Sequence, residues 1–364
     1  MKAKGIILGD AMIGYEGFVK AWEKYLAPVV GGEVIAEDFE KNWEKLQYRR
    51  LEVEKHGPEI EEVDETIQTY GAEAEFLAGL FVPVSTKVMA KMPNLRIVGV
   101  SRAGLENVNV KAATERGILV FNVLGRNAHA VSDFTVGMML AEARNIARAH
   151  YSIKNHGWQK VFANDGNIPE LNGKTVGLVG FGKIGQLVAK KLSGFDVTVK
   201  IYDPYTSAET AAEHKVTQVE LNTLFAESDI VSIHSRLTED NKHMIGKEQF
   251  DLMKPTALFI NTGRAGLVKQ ADLVEALRTK KILGAALDVF ETEPLPVDNP
   301  FIELDNVTLT THIAGTTTDA LTNSPFLLME DIALFLKTGK SNFIVNPEVI
   351  TQAGFQTWLA SIKK

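Results

Sequence analysis

The stretch from Thr175 to Asp203 reads TVGLVGFGKIGQLVAKKLSGFDVTVKIYD and decides the fold of this chain. A short apolar run leads into glycines spaced as G-x-G-x-x-G, and a helical pattern and a second apolar run follow. Strand, glycine turn, helix, strand and a terminal acid, in that order, are typical of a unit that binds a dinucleotide. The alternative is a glycine-rich turn in an ordinary α/β domain.

Each part of the glycine turn has a physical role in this interpretation. Gly180 permits a tight turn, Gly182 lets the backbone approach a pyrophosphate, and Gly185 lets helix and strand pack closely. The helix that begins near Lys183 and Ile184 offers unpaired N–H groups and a positive dipole end to the phosphates. These residues are therefore predicted to bind the cofactor.

Asp203 completes the unit, because it lies about twenty residues past the glycines, where an acid can accept a hydrogen bond from a ribose 2′-hydroxyl. A 2′-phosphate would be repelled by this carboxylate and would require an arginine instead. The sequence Asp203-Pro204-Tyr205 supplies no arginine. The pattern therefore predicts NAD as the cofactor.

Composition limits the class of protein. A chain of 364 residues exceeds one typical core, so two domains are expected. The net charge of −7 argues against nucleic acid or an anionic membrane as a partner. The sequence has no cysteine, which excludes disulfides, a thiolate nucleophile and zinc held by cysteine, and no metal site is predicted. The first apolar run is too short for a signal peptide, so a cytoplasmic location is expected.

Apolar runs alternate with helical patterns on both sides of the glycine unit. Further buried strands are predicted at 5–9, 74–81, 95–100, 118–121, 229–234, 257–261, 284–289 and 307–310. This alternation predicts an α/β fold with two doubly wound parallel-sheet domains. We expect a Rossmann domain of residues 123–315, inserted into a flavodoxin-like substrate domain of residues 1–122 and 316–364.

Three helices matter for this organisation. The spacing of Phe39, Trp43 and Leu46 predicts an amphipathic surface helix over 37–54, in a highly charged segment that ends at Gly57-Pro58. A single long helix is predicted over 128–154. A closing helix over 321–336 is expected to return to the first domain.

Three polar residues follow strands in the second half, where open α/β sheets place their ligands. Arg264, Glu293 and His312 form a suitable set for hydride transfer to a 2-oxo acid. The arginine can clamp a carboxylate, the histidine can exchange the hydroxyl proton, and the glutamate can orient the imidazole. Taken singly, each has an ordinary interpretation as a surface arginine, a turn before proline or a structural histidine.

Longer blocks of the sequence resemble one enzyme family. They are NTGRAGLVKQADLVEALRTKKILGAALDVFETEPLP from Asn261, THIAGTT from Thr311, NLRIVGVSRAGLENVNVKAATERGILVFNV from Asn94 and GRNAHAVSDFTVGMMLAEAR from Gly125. Together they are similar to the D-isomer-specific 2-hydroxyacid dehydrogenases, and most similar to the branch of 3-phosphoglycerate dehydrogenase and glyoxylate/hydroxypyruvate reductase. The resemblance spans roughly residues 74–336.

The resemblance implies roles for further residues. It implies catalytic roles for Arg264, Glu293 and His312, and it implies that backbone amides near Arg102, Ala103 and Gly104 hold the substrate carboxylate. The residues that it places around the cofactor are Thr262, Asp288 and Gly315 near the nicotinamide and His234 and Thr238 near the adenosine and phosphates. It also suggests a homodimer formed through the 128–154 helix region.

The sequence departs from the family pattern at several places. Arg236 stands where proline is usual, and this cation could contact the pyrophosphate or weaken the preference against NADP. The loop Leu80-Phe81-Val82-Pro83 carries no basic or hydroxyl side chain for a phosphate, which speaks against phosphoglycerate. Arg102 and Arg126 are candidates to replace those groups, with ordinary surface arginines as the default interpretation. Because the sequence stops at Lys364, we expect no appended regulatory domain and no serine feedback through one.

The resulting hypothesis is an NAD-dependent oxidoreductase that transfers a hydride between nicotinamide and C2 of a D-2-hydroxy acid or 2-oxo acid. Two alternatives stay open at this point. One is a nucleotide-sensing binding protein of the same superfamily without significant turnover. The other keeps the enzyme but changes the substrate to a sugar acid or its phosphate.

Overall fold

A computed structural model describes residues 4–362 of the chain as two compact units. The split unit comprises the chain up to Arg126 and the part from Thr317 onward, and the inserted unit is Asn127–Thr316. Residues 123–126 thus fall in the split unit and Thr316 in the inserted unit, close to the boundaries expected from the sequence. Within residues 4–362, no helix combines the length and the apolarity that are needed to cross a bilayer.

The split unit is built on a sheet of five parallel strands in the order β2-β1-β3-β4-β5. The strands are β1 Lys4–Asp10, β2 Glu33–Glu40, β3 Phe76–Gly79, β4 Ile97–Val100 and β5 Leu119–Asn122. The helices are α1 Tyr15–Ala21, α2 Ala27–Val30, α3 Trp43–His56, α4 Glu65–Tyr70, α5 Thr86–Lys91, α6 Val110–Glu115, α14 Thr318–Thr338 and α15 Ala353–Ile362. This strand order is the flavodoxin-like one.

Alternate side chains of these strands enter two apolar clusters, one on each face of the sheet. Ile7 and Phe121 belong to the cluster that includes Leu328 and Phe335 of α14. Ile6 and its neighbours face the opposite cluster. The closing helix therefore completes the core of the split unit, as the sequence predicted.

The inserted unit contains seven parallel strands in the order β12-β11-β10-β9-β6-β7-β8. The strands are β6 Thr175–Val179, β7 Thr198–Tyr202, β8 Thr217–Gln218, β9 Ile230–Ile233, β10 Leu258–Asn261, β11 Gly284–Leu287 and β12 Val307–Leu309. The helices are α7 Ala128–Ala143, α8 Ile146–Lys154, α9 Lys183–Leu192, α10 Ala208–Glu213, α11 Leu221–Glu227, α12 Lys247–Leu252 and α13 Gln270–Arg278. The order reverses between β6 and β9, which makes that edge the expected ligand crevice of a Rossmann sheet. The predicted fold class is confirmed.

The prediction of a helix over 37–54 is wrong for the first residues of that range. Residues 37–40 belong to β2, a strand at the edge of the sheet that pairs with β1. Exposed and half-buried side chains alternate over residues 33–38, which is the period of a strand with one solvated face. The helix begins only after Asn42, whose side chain accepts a hydrogen bond from the amide of Lys45, and it ends at Gly57.

The prediction of a single helix over 128–154 is also wrong, because two helices, α7 and α8, meet at Asn145. This residue has a φ of 56°, a left-handed conformation that asparagine tolerates better than most residues. Its buried amide donates a hydrogen bond of 2.7 Å to Oδ1 of Asn164. Arg148 of α8 reaches back to Glu142 of α7 at 2.8 Å. These contacts stabilise the break.

Candidate active site

The glycine turn after β6 has the geometry that a pyrophosphate site requires. Gly180 has a φ of 97°, and a Cβ there would lie 2.5 Å from the amide nitrogen of Ser235. A Cβ on Gly185 would collide with the carbonyl oxygen of Gly180, whereas a Cβ on Gly182 would have no heavy atom within 4 Å. The two outer glycines are thus needed for packing, and the space beside Gly182 is open to a ligand.

Two groups at this turn complete the nucleotide side of the crevice. Helix α9 begins at Lys183, with Ile184 in its first turn, and no side chain caps its N-terminus. Asp203 follows β7, and its Oδ2 accepts a hydrogen bond of 2.6 Å from the amide of Phe181. Its Oδ1 accepts from the amide of Tyr205 at 2.8 Å. The carboxylate is therefore fixed against the turn, and each of its oxygens retains a lone pair for a further donor.

His234 follows β9 and lies directly behind the glycine turn. Its amide donates to the carbonyl of Val179 at 2.7 Å, and its Nε2 lies 3.0 Å from Oγ of Ser232. Its Nδ1 is buried and has no hydrogen-bond partner in the described part of the chain. Burial lowers the pKa of His234 to about 4, so the imidazole is neutral at physiological pH.

Arg236 and Thr238 lie on the exposed segment that follows. The carbonyl of Arg236 accepts from the side-chain amide of Asn241 at 2.7 Å, and the amide of Thr238 donates to Oδ1 of the same asparagine at 2.7 Å. Asn241 therefore holds this segment in one conformation and leaves the guanidinium of Arg236 at the surface.

Arg264 follows β10 on a turn that a buried asparagine fixes. Oδ1 of Asn261 accepts from the amide of Gly263 at 3.0 Å, and its side-chain nitrogen donates to the carbonyl of Arg264 at 3.1 Å. The guanidinium of Arg264 is exposed and donates to the carbonyl of Gly263 at 2.7 Å. This role of Asn261 was not predicted from the sequence, although its position as the last strand residue before Thr262-Gly263-Arg264 was a usable signal.

Glu293 and His312 are brought together from the segments after β11 and β12. Nδ1 of His312 lies 2.7 Å from Oε2 of Glu293, while Oε1 of Glu293 accepts from the amide of Phe290 at 2.9 Å. The carboxylate is thus anchored on one side and orients the imidazole on the other. With Nδ1 engaged in this way, Nε2 is the ring atom that can exchange a proton with a ligand.

The residues predicted near the nicotinamide all follow β10, β11 or β12. Oγ1 of Thr262 lies 2.7 Å from Oγ1 of Thr135 in a buried pair. A Cβ on Gly315 would collide with the side-chain amide of Asn127. Asp288 is fully buried and accepts three hydrogen bonds, from Oγ1 of Thr310 at 2.6 Å and from the amides of Ile313 and Ala314.

Asp288 therefore has a role that the sequence did not predict. Its carboxylate ties down both sides of His312, which adopts the left-handed region with a φ of 56°. A non-glycine residue in that region is held there only when its surroundings fix it. Asp288 supplies this constraint, so it is a positioning residue for the imidazole.

The predicted carboxylate-binding segment lies in the split unit, after β4. The carbonyl of Ala103 accepts from the side chain of Asn122 at 2.7 Å. Across residues 4–362, neither the amide of Ala103 nor that of Gly104 donates a hydrogen bond. Arg102 does not point away as an ordinary surface residue: its guanidinium lies 4.4 Å from the ring centroid of Phe81. Two unused amides beside an arginine suit an anionic group.

Comparisons with known proteins place this chain in a family. The family described as D-isomer specific 2-hydroxyacid dehydrogenase, NAD binding domain, matches residues 136–314. A D-3-phosphoglycerate dehydrogenase of Archaeoglobus fulgidus is 37% identical over 86% of this chain and 59% of its own length. A glyoxylate reductase of Thermofilum pendens is 41% identical over 73% of this chain and 79% of its own length.

A solved structure shares the fold of most of the chain. The apo D-mandelate dehydrogenase of Rhodotorula graminis aligns with a TM-score of 0.75 at 24% identity, over 95% of this chain and 98% of its own. The chain spans 59% and 51% of the length of the first two curated relatives that it matches. The family model matches most of the inserted unit, and the glyoxylate reductase is similar in sequence over most of its own length. The chain therefore belongs to the D-isomer specific 2-hydroxyacid dehydrogenase family and carries its NAD-binding domain.

Proposed function

We propose that the protein catalyses hydride transfer between NAD and C2 of a D-2-hydroxy acid or the corresponding 2-oxo acid. The observation that carries this proposal is the 2.7 Å contact between His312 and Glu293, which leaves Nε2 of the imidazole to exchange a proton. Arg264 follows the strand adjacent to the one that Glu293 follows, so an arginine and an oriented histidine stand at one edge of the sheet. These are the groups that a 2-oxo acid requires.

In the direction of reduction, NADH would supply the hydride for C2 when it is bound in the inserted unit. Nε2 of His312 gives its proton to the carbonyl oxygen, which becomes the hydroxyl, and in oxidation it takes that proton back. Glu293 holds the imidazole in position during both steps. The planar fork of Arg264 pairs with the substrate carboxylate and polarises the carbonyl.

The inserted unit has the features that would hold the dinucleotide. The open space at Gly182 and the uncapped start of α9 suit a pyrophosphate, and Asp203 suits the ribose hydroxyls. The buried Nδ1 of His234, which has no partner within residues 4–362, lies behind the same turn. The phosphate and adenosine part of the dinucleotide would also lie near Arg236 and Thr238. The nicotinamide would lie near Thr262, Asp288 and Gly315.

We further propose a homodimer formed through the region of α7 and α8. Helix α8 has no buried residue, and it exposes Ile146, Tyr151 and Ile153. The following segment exposes Trp158 and Val161, at 77% and 63%. Apolar side chains grouped in this way favour an interface. The cytoplasmic location and the absence of nucleic-acid and membrane partners stay predictions of the sequence.

The decisive experiment is a panel of 2-oxo acids, including glyoxylate, hydroxypyruvate and 3-phosphohydroxypyruvate, assayed for NADH consumption. His312→Ala should lower turnover by ~10²–10⁴-fold for whichever acid is reduced. NADH binding, followed by its fluorescence, should persist in this variant. A variant that keeps wild-type turnover would contradict the assignment of the proton to His312.

The chain offers a matched control. His243 is also an exposed histidine with a positive φ, and its Nε2 lies 3.5 Å from Glu291 in the same unit. His243→Ala should leave turnover within about twofold of the wild type, as expected for a surface substitution. Equal losses in the two variants would indicate a general effect on folding rather than catalysis by His312.

A further inference from the structure

A buried ion pair lies at the corner between α7 and α8 of the inserted unit. Glu142, in the last turn of α7, is 1% exposed, and its two carboxylate oxygens accept hydrogen bonds from Nη2 of Arg148 at 2.8 and 3.0 Å. Replacing a buried ion pair by packed apolar residues is often neutral or stabilising, so such a pair is weak evidence for stability. In some proteins it serves to fix one geometry instead. The contacts of the two side chains indicate what this pair fixes.

The carboxylate of Glu142 lies against two adjacent strands of the sheet. Its Oε2 accepts a hydrogen bond of 2.6 Å from Oγ1 of Thr308, the middle residue of β12. Its Oε1 lies so close to Gly284, the first residue of β11, that a Cβ there would collide with it. One carboxylate thus contacts the start of β11 and the middle of β12 at the same time.

Arg148 adds a contact to the segment that leads into β12. Its Nε donates to the carbonyl of Asp305 at 2.6 Å, and its Nη1 donates to Oδ1 of Asn145 at 3.1 Å. Only 14% of its side chain is exposed. The guanidinium therefore joins the carboxylate of Glu142, the corner between the helices and the backbone before β12 in one arrangement.

Strand β12 depends on such contacts because it is short and stands at one end of the sheet. It comprises three residues and lies next to β11 in the strand order. An edge strand leaves part of its backbone unpaired, so its neighbour holds it less firmly than a central strand is held. The contacts from the corner between α7 and α8 therefore add to the backbone pairing that places β12.

The same two strands lead to the proposed proton donor and its partner. The amide of Thr310, just after β12, donates to the carbonyl of Leu287 at 3.0 Å, and His312 follows two residues later. Glu293 lies on the segment after β11. The contact of 2.7 Å between His312 and Glu293 thus joins two segments whose strands both lie against Glu142. A shift of β12 relative to β11 would change this contact.

We propose that Glu142 is a positioning residue for the proton exchange, because it sets β12 against β11 and thereby fixes the contact between His312 and Glu293. This inference rests on the function proposed above and deepens it. Ligands of open α/β sheets bind beyond the carboxyl ends of the strands, whereas Glu142 contacts Gly284 at the amino end of β11. It therefore acts on the reaction through other residues.

Thr308→Val, made in the full-length protein, removes the link between the ion pair and β12. Valine is similar in shape but has no hydroxyl, so Glu142 loses this donor and keeps Arg148. With a 2-oxo acid that the wild type reduces, kcat should fall by about tenfold, since a small misplacement of a reacting group is costly. The solvent deuterium isotope effect on kcat should increase, because a misplaced imidazole makes proton transfer slower. Thr308→Ser, which keeps the hydroxyl, should recover most of kcat.

Binding of the ligands should change little in Thr308→Val. KM for the 2-oxo acid and Kd for NADH, followed by its fluorescence, should stay within about twofold of the wild type, as expected for sites without shared contacts. The glycine turn follows β6 and Arg264 follows β10, so neither lies on the strands that Glu142 contacts. An effect on kcat alone is the mark of a positioning role.

Ser228→Ala is the matched control for the loss of a buried hydroxyl. Ser228 is fully buried in the same unit, and its Oγ donates to the carbonyl of Leu224 at 2.6 Å, just before β9. This variant should lose thermal stability as Thr308→Val does but keep the kcat and the isotope effect of the wild type. Titration with NADH counts the folded sites of each variant, so that kcat is expressed per site.

Nuclear magnetic resonance of protein labelled at the histidine rings gives a measurement that needs no turnover. The signals of His312, assigned by their absence in His312→Ala, should shift in Thr308→Val and stay in place in Ser228→Ala. Such a shift, together with a selective loss of kcat, supports the inference.

The outcomes separate this inference from the proposed function. If kcat and the His312 signals of Thr308→Val equal those of the wild type, the inference is overturned while the proposed function stands. If Thr308→Val and Ser228→Ala lose kcat per site equally, the effect is one of general stability, and the inference is overturned as well. If the wild type reduces no 2-oxo acid, the proposed function is overturned and this inference with it.

Discussion

Oδ2 of Asp288 lies 2.9 Å from the backbone nitrogen of Ala314, so a buried carboxylate holds the chain two residues beyond the proposed proton donor. Its Oδ1 holds the amide of Ile313 at 3.0 Å. The position of His312 therefore depends on a group that need not touch the substrate. The loop around the imidazole is fixed from the core of the inserted unit.

Asp288→Asn tests this relationship. Asparagine keeps the size of the side chain but turns an NH₂ group toward one of the backbone amides, which leaves a buried donor without an acceptor. The free energy of unfolding, measured with urea, should fall by about 1–3 kcal/mol, and turnover should fall with it. Asp298→Asn changes an exposed aspartate of the same unit and should alter neither quantity. Unchanged stability in Asp288→Asn would show that the three hydrogen bonds do not fix the loop.

Arg264→Lys tests the carboxylate clamp. A lysine keeps the positive charge but loses the planar fork that pairs with two carboxylate oxygens. We expect KM to rise and kcat to fall, with a combined loss in kcat/KM of roughly a hundredfold. Arg278→Lys, at an exposed position at the end of α13, is the control. Steady-state kinetics that are equal for Arg264→Lys and the wild type would place Arg264 outside the site.

Asp203 should set the choice between NADH and NADPH. Its carboxylate would repel a 2′-phosphate, so kcat/KM should favour NADH by at least about tenfold, which requires only ~1.4 kcal/mol. Asp203→Ala should narrow this difference mainly by improving the use of NADPH. It should also lower the melting temperature, because the amide of Phe181 loses its acceptor. Equal use of both cofactors by the wild type would mean that Asp203 does not face the ribose, or that Arg236 offsets its charge.

The lowered pKa of His234 predicts that the free energy of unfolding depends on pH. Its pKa is lowered from the ordinary 6.5 to about 4, so between these values the unfolded chain binds a proton that the folded chain does not. The free energy of unfolding should therefore decrease as the pH falls from 6.5 toward 4, by roughly 3 kcal/mol in total from this residue. Urea unfolding at several pH values measures the slope. His234→Gln should flatten it, and a slope equal to that of the wild type would assign the dependence to other groups.

The sequence predicted the inserted unit well because its signals are local. The strands around the glycine turn form at the two apolar runs that flank it, since these runs and the glycines are contiguous in the chain. The edge strand β2 was missed because its last residues, 37–40, lie in the charged segment where Phe39, Trp43 and Leu46 have helical spacing, and its apolar and polar residues do not alternate in the sequence. The break at Asn145 was missed because a buried contact with Asn164, nineteen residues away, decides it.

The residues of the candidate site likewise fall into those that local sequence signals reveal and those that only contacts in the structure reveal. Arg264, Glu293 and His312 could be found because each follows a recognisable strand, and the family resemblance connects them. Arg102 and Arg126 were named from the sequence, whereas the packing of Arg50 and Arg102 against the ring of Phe81 is visible only in the structure, because no periodicity relates these residues. Asp288 was assigned to the cofactor, and only the hydrogen bonds of its buried carboxylate reveal its role toward His312.

The packing of α14 onto the sheet of the split unit has a consequence for how the chain is made. Gly99 lies beneath this helix, where a Cβ would be only 3.0 Å from Leu328. Because α14 follows the inserted unit in the sequence, a ribosome completes the whole inserted unit before it releases the helix that closes the first sheet. Domains generally fold as units during synthesis, with the parts that emerge first folding first. The nucleotide-binding unit is thus complete on the growing chain while the part of the first sheet that α14 covers is still exposed, so a chaperone that binds apolar surface can act on that part until α14 emerges.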